Sequence, residues 1–182
     1  MSLNNSGQVV NGEIGPEDID IDWLEAMDIF SGSVPVVVAV LDTGVTLYHP
    51  EIRSKIWIND AELYGDLDDI DDDSNGFLDD AVGWDFFDDN FLPLDENGHG
   101  TLIASIIAST PDNGEMGVGV FPITEVIALR IANDFGSLGD IITSTVNILE
   151  ATTYAANNCA RIINASFGVA HSTFLNYSKW SG

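Results

Sequence analysis

Apolar residues in this chain come in short dense runs separated by polar stretches, and the runs differ in period. In VPVVVAVLD (34–42) nearly every position is apolar and most are β-branched. That pattern predicts a strand buried on both faces, as in a parallel sheet covered by helices on either side. TEVIALRIA (124–132) repeats it, ARIINASFG (160–168) reads as a further strand, and a short strand is predicted over 81–86. Between them the period lengthens. PEDIDIDWLEAMDIFSG (16–32) places Ile21, Leu24, Met27 and Phe30 at spacings of three, a short amphipathic helix. A helix opening at GHGT runs over 101–109 with Leu102, Ile103, Ile106 and Ile107 on one side. SLGDIITSTVNILEATTYAANN (137–158) is predicted as a helix opened by a Ser137-x-x-Asp140 capping pattern, and 170–180 begins another. Strands alternating with helices predict an α/β fold: a mostly parallel sheet with helices on both faces. Residues 1–15, polar and rich in Gly and Asn, read as an arm, and 59–97 as a long acidic insertion.

Composition narrows the class. A chain of 182 residues, 45% hydrophobic, is long enough for one domain with a real core. No apolar run reaches the length of a membrane span, and the N-terminus shows no basic start followed by an apolar stretch, so no secretory leader is read there. The single cysteine, Cys159, excludes an intramolecular disulfide. Charge changes the picture most. Thirty acidic residues against five basic ones give a formal net charge of −25, which argues against nucleic acid and anionic membrane partners. Such an excess is either a solvated surface suited to an extracellular or salty setting, or a means of holding divalent cations.

Two residues stand where chemistry collects. Asp42 ends the first buried strand, directly before Thr43-Gly44. The carboxyl ends of parallel strands are where open α/β sheets bind and react. His99, one of three histidines, lies between two glycines at a helix start. An Asp that accepts the Nδ1 proton of a His fixes its tautomer and stabilises the imidazolium. Taken singly, the Asp also reads as a turn former and the His as a structural residue.

The sequence words around them resemble a known family. VVVAVLDTGV, then HPEI, then GHGT at a helix start, then IINASFG are similar to the motifs of subtilisin-like serine proteases, as is the stretch DIDIDWLEAMDIFSG ahead of the first strand. The resemblance covers nearly the whole chain. It implies a subtilisin-like fold, with Asp42 as the triad aspartate and His99 as the general base. Ser166, Phe167 and Gly168 would belong to the strand that pairs with an extended polypeptide substrate. It also implies an extracellular, secreted setting. Leu102 and Ser105 depart from the family pattern, which usually has a second His and a Gly there. The family's nucleophilic serine follows in a Gly-Thr-Ser-Met-Ala-like helix start, and neither that motif nor a G-x-S-x-G elbow occurs in these 182 residues. The expectation is therefore the N-terminal portion of a catalytic domain, truncated after about four strands and inactive alone. The strand at 160–168 would then be an exposed apolar edge inviting homo-oligomers.

Calcium is the expected cofactor. DDDSNGFLD (71–79) fits the calcium-loop pattern, with Asp71, Asp73 and Asn75 at positions 1, 3 and 5, the Phe77 carbonyl at 7 and Asp79 at 9. Position 12 is Val82 rather than Glu, with Asp80 as a substitute ligand. The family resemblance implies a second site, from Glu51, the Asn113 side chain and the carbonyls of Pro111, Glu115 and Gly117. Two other readings stand beside the protease: a non-catalytic calcium-binding or interaction module, and metallohydrolase chemistry at His49, Glu51 and His99. No HExxH or Cys/His cluster supports the latter.

Overall fold

The computed structural model describes residues 9–15, 21–29, 32–63, 68–111, 113–114, 117–132 and 145–167. The chain opens with two short strands, β1 (Val9–Val10) and β2 (Glu13–Ile14), then helix α1 (Trp23–Ile29) and strand β3 (Val36–Asp42). Next come α2 (Asp60–Leu63), β4 (Gly83–Asp85), α3 (His99–Ala108), β5 (Thr124–Arg130), α4 (Thr145–Asn157) and β6 (Ile162–Asn164). The main sheet runs β4-β5-β3-β6, and every pairing is parallel.

Successive side chains of a strand point to opposite faces, so an unbroken apolar run needs two apolar covers. β3 and β5 have them. Val40, Val126 and Ala128 pack on one face with Ala104 and Ala108 of α3. Ala39, Leu41, Ile127 and Leu129 pack on the other with Ala151, Tyr154 and Ala155 of α4. The sheet is therefore sandwiched, as the sequence predicts. Each large aliphatic side chain buried this way contributes roughly 1.5–3 kcal/mol relative to exposure.

Three expectations need correction. Residues 1–15 are not wholly an arm: Val9 pairs with Ile14 and Val10 with Glu13 across an Asn11-Gly12 turn, both of whose residues have positive φ. That is the backbone a tight hairpin requires. Helix α1 does not bury the Ile21/Leu24/Met27 stripe: Ile21 and Leu24 are exposed, while Trp23 and Met27 are half-buried and the Trp23 indole donates to the Val120 carbonyl at 2.8 Å. A spacing of three drifts around a helix, whereas i and i+4 stay on one face. In α3 the sheet-facing residues are the small ones, Gly100, Thr101, Ala104 and Ala108, while Leu102 and Ile106 are exposed. Of the predicted stripe, Ile103 and Ile107 do pack, partly buried, against the same core, and small residues stand where the helix comes nearest the strand ends.

Of the helix predicted over 137–158, residues 145–157 are observed and 137–144 lie outside the described residues, as does the helix predicted over 170–180. No helix among the described residues is long and apolar enough to cross a membrane.

Candidate active site

The end of β3 meets the start of α3. Asp42 is fully buried, and its Oδ1 lies 2.7 Å from His99 Nδ1 while accepting the Thr43 amide at 2.8 Å. Asp42 Oδ2 is buried without a hydrogen-bond partner. The imidazole is 32% exposed. A buried carboxylate on Nδ1 places the ring's mobile proton chemistry at Nε2.

Close approach makes this meeting possible. A Cβ at Gly100 would lie 2.1 Å from the Gly44 carbonyl oxygen, and one at Gly44 would collide with the Leu94 backbone. Gly44 also has a φ of +101°. Neither position admits a side chain, which explains both glycines of the Thr43-Gly44 and His99-Gly100 steps.

The first turn of α3 has orphan N–H groups, and side chains satisfy them. His99 N–H donates to Asn97 Oδ1, Gly100 N–H to Thr43 Oγ1 at 3.1 Å, and Thr101 N–H to Asp95 Oδ2 at 2.9 Å. Asp95 also accepts from the Asn97 and Gly98 amides and from the Thr43 and Thr101 hydroxyls. Burial alone would raise its pKa, but the bonds from Thr101, Gly98 and Thr43 win and hold it below the usual carboxylate value. Sequence reasoning missed Asp95 and Thr43. The available signal was an Asp four residues before His99, at the head of an Asp-x-x-Gly turn.

Arg130, the register neighbour of Asp42 in β5, closes this end of the sheet. Its guanidinium donates to Asp85 and Asp88 at 2.6 Å each and to Glu96 at 3.3 Å. Burial would lower its pKa, yet Asp85 and Asp88 raise it.

The expected calcium ligands divide. Asp71 and Asp73 come together, joined by Glu62 of α2, a residue the sequence reading overlooked. One carboxylate oxygen of each lies within 4.8 Å of the others. Glu62 is buried, and its two oxygens accept the Asp73 and Asp79 amides. Burial, then the charge of Asp80, raises its pKa against those amide bonds. Asn75 Oδ1 is already an acceptor for the Phe77 amide. Asp79 is directed elsewhere: its oxygens accept the amides of Asp68 and Asp69. The Phe77 ring anchors the loop, meeting Trp84, Phe86 and Tyr154 edge-on at 5.0–5.6 Å. Beneath it, Tyr154 donates to Asp80 Oδ2 at 2.6 Å.

Glu51 fits a cation differently. It is buried, and both of its carboxylate oxygens lack hydrogen-bond partners. An unpaired buried carboxylate is costly, and a hard divalent cation is the partner its oxygens suit. The Thr110 amide donates to the Glu51 carbonyl, which ties Glu51 to the chain just after α3. Gly117 and Glu51 line one cavity of about 570 Å³. Glu115 lies outside the described residues. His49, Glu51 and His99 do not form a ligand group; among the described residues Glu62, Asp71 and Asp73 are the group of three that does. Ser166 donates to Asn164 Oδ1, Phe167 packs against the α4-side core, and Gly168 lies outside the described residues.

Comparison with known proteins agrees with this arrangement. A model of the subtilase family matches residues 34–182. Subtilisin-like protease 1 of Plasmodium berghei is 33% identical over 132 residues, covering 71% of this chain and 21% of that protein. The thermophilic serine proteinase of Bacillus sp. strain AK1 is 31% identical over 166 residues, 90% of this chain and 33% of that protein. The chain thus spans about a fifth to a third of these relatives. In fold it resembles the Aeromonas sobria serine protease, solved in complex with its chaperone, with a TM-score of 0.60 at 19% identity over 92% of this chain and 24% of that one.

Proposed function

Since the chain belongs to the subtilase family, we propose that it forms the first part of the catalytic unit of a secreted serine endopeptidase. In this reading His99 is the general base and Asp42 its orienting carboxylate. The observation that carries the reading is the 2.7 Å contact between Asp42 Oδ1 and His99 Nδ1. Nδ1 keeps its proton on Asp42, Nε2 takes the proton of an incoming seryl hydroxyl, and the buried carboxylate stabilises the imidazolium that results. The backbone at 166–168 pairs with extended polypeptide.

These 182 residues hold no Gly-Thr-Ser-like helix start to present a serine, so in this reading the seryl hydroxyl is not supplied by them. The 182 residues alone therefore do not cleave peptides. A serine-directed fluorophosphonate tests this: the isolated chain is expected to stay unlabelled, and stoichiometric labelling would overturn the point. In a longer reading frame that labels, His99→Ala is expected to abolish labelling.

Calcium belongs to the proposal as a structural ion. Glu51 with Asn113 would hold one ion, and Glu62, Asp71 and Asp73 another. Bound there, calcium supplies charge compensation and ties loops together. Added calcium is expected to raise the melting temperature of metal-stripped protein, and an unchanged value would count against both sites. The rival reading, a non-catalytic calcium-binding or interaction module, draws support from the orphaned Glu51 carboxylate. It requires that the parent reading frame contain no Gly-Thr-Ser-like motif. Copies of this chain would associate through the β6 edge, where Ile162 and Ile163 are exposed; a monodisperse monomer in light scattering would refute that.

A further inference from the structure

The Thr43 hydroxyl has one hydrogen and two carboxylate oxygens in reach: Asp95 Oδ1 at 2.9 Å and Asp42 Oδ1 at 3.3 Å. Which of them receives it decides how many donors share the oxygen that holds His99. We infer that Asp95 is a positioning residue that draws the Thr43 hydrogen away from Asp42.

The surrounding bonds carry the argument. Asp95 is fixed before Thr43 reaches it, because its oxygens already accept the amides of Asn97, Gly98 and Thr101. Those amides open α3, where a negative charge is favoured. With its hydrogen committed to Asp95, the Thr43 oxygen turns its lone pairs to the Gly100 amide at 3.1 Å. That bond seats the residue next to His99. Asp42 Oδ1 then serves the Thr43 amide and His99 Nδ1, and its charge is not diluted by a hydroxyl. A third donor on that oxygen would weaken its pull on the imidazolium.

The charged groups around the pair come from three elements. Asp42 ends β3, and Asp95 and Glu96 precede α3. Arg130 ends β5 and is bonded to Asp85, Asp88 and Glu96. The significance of Asp95 for catalysis rests on the peptidase reading above, but the test reads protonation and not hydrolysis, so the two fail separately.

His99 is titrated in the full chain through its imidazole NMR signals, which are to be told apart from those of only two other histidines. Thr43→Val removes the contested hydrogen. The variant also removes the acceptor of the Gly100 amide, so if the hydrogen belongs to Asp95 the His99 midpoint holds or falls and does not rise. A rise of about half a unit or more means that it belonged to Asp42 and overturns the inference. Asp95→Asn is expected to lower the midpoint by about 0.5–1 unit, as the freed hydroxyl turns to Asp42. In the double variant part of that fall should be recovered. An equal fall with and without the hydroxyl would be plain loss of a charge, and would also overturn it. Thr43→Ser should titrate like the parent. Should Asp95→Asn fail to fold, Thr43→Val decides alone.

Discussion

The turn ahead of α3 and the acidic loop over α4 each draw a carboxylate out of water, and they balance its charge in opposite ways. Asp95 faces amides and hydroxyls, and its pKa is lowered despite burial. Asp80 also accepts three side-chain donors, from Tyr154, Asn75 and Asn59. Yet it is fully buried beside Asp73, and its pKa is raised, by desolvation first and then by that like charge. The difference lies both in the donors, five on Asp95 against three on Asp80, and in the like charge of Asp73 beside Asp80. At the helix start three backbone amides and two hydroxyls converge on Asp95. In the loop, neutral donors are shared among neighbouring acids. The first region is complete with protein groups alone; the second is the one a cation would improve.

The strongest way to break the contrast is to remove Arg130, the cation bonded among the acids at this end of the sheet. Arg130→Ala leaves buried Asp85 without its charge partner, and a loss of about 3–5 kcal/mol in denaturant-derived unfolding free energy is expected. A loss under about 1 kcal/mol would mean that this end is as loosely compensated as the loop.

Stability against pH sharpens the contrast next. Asp95 has a folded pKa below the usual 3.8, so its contribution is present above that value and is lost as pH falls through the folded value. Asp80 and Glu62 have folded pKa values above the usual 3.8 and 4.5, so their contribution is present below those values and is lost as pH rises through the folded ones. In metal-stripped protein, Asp80→Asn is therefore expected to flatten the fall in melting temperature as pH rises from acid toward neutral. Asp95→Asn is expected to flatten the loss on the acid side. Calcium should erase the first effect and leave the second, as thermal scans across pH would read.

The smallest effect is expected at Tyr154→Phe, which keeps the ring packing but removes a donor from Asp80. A loss of about 1–2 kcal/mol is anticipated, smaller in calcium. An unchanged stability would mean that the loop does not depend on its tie to α4.

How much of this could be read from the sequence depends on how local the cause was. β3 and β5 were readable because burial on both faces leaves its mark at every position. The Asp42 and His99 positions were readable from a strand end, a helix start and the motifs around them. The Asn11-Gly12 hairpin was readable too, since Asn-Gly is the turn's own signal, but a polar composition masked it. The inward face of α3 was readable from apolar spacing only in part: Ile103 and Ile107 pack on the core, whereas the tight approach at Gly44 and Gly100 puts small residues where the helix comes nearest. Nor were the roles of Glu62 and Tyr154, whose partners lie farther along the chain, Asp73 and Asp79 for the one and Asp80 for the other, nor the tie from Asp95 to Thr43.

The strand order has a consequence for how the molecule forms. β3 is made early, yet its two neighbours are β5 and β6: Val36 waits for Thr124, and Val38 for Ile162. A greasy ribbon therefore leaves the ribosome long before either flank exists to shield it. Parallel pairing over such separations is slow, because loop closure must precede any gain in contacts. During that interval synthesis rate, temperature and any helper that masks bare strands will govern yield more than final stability does.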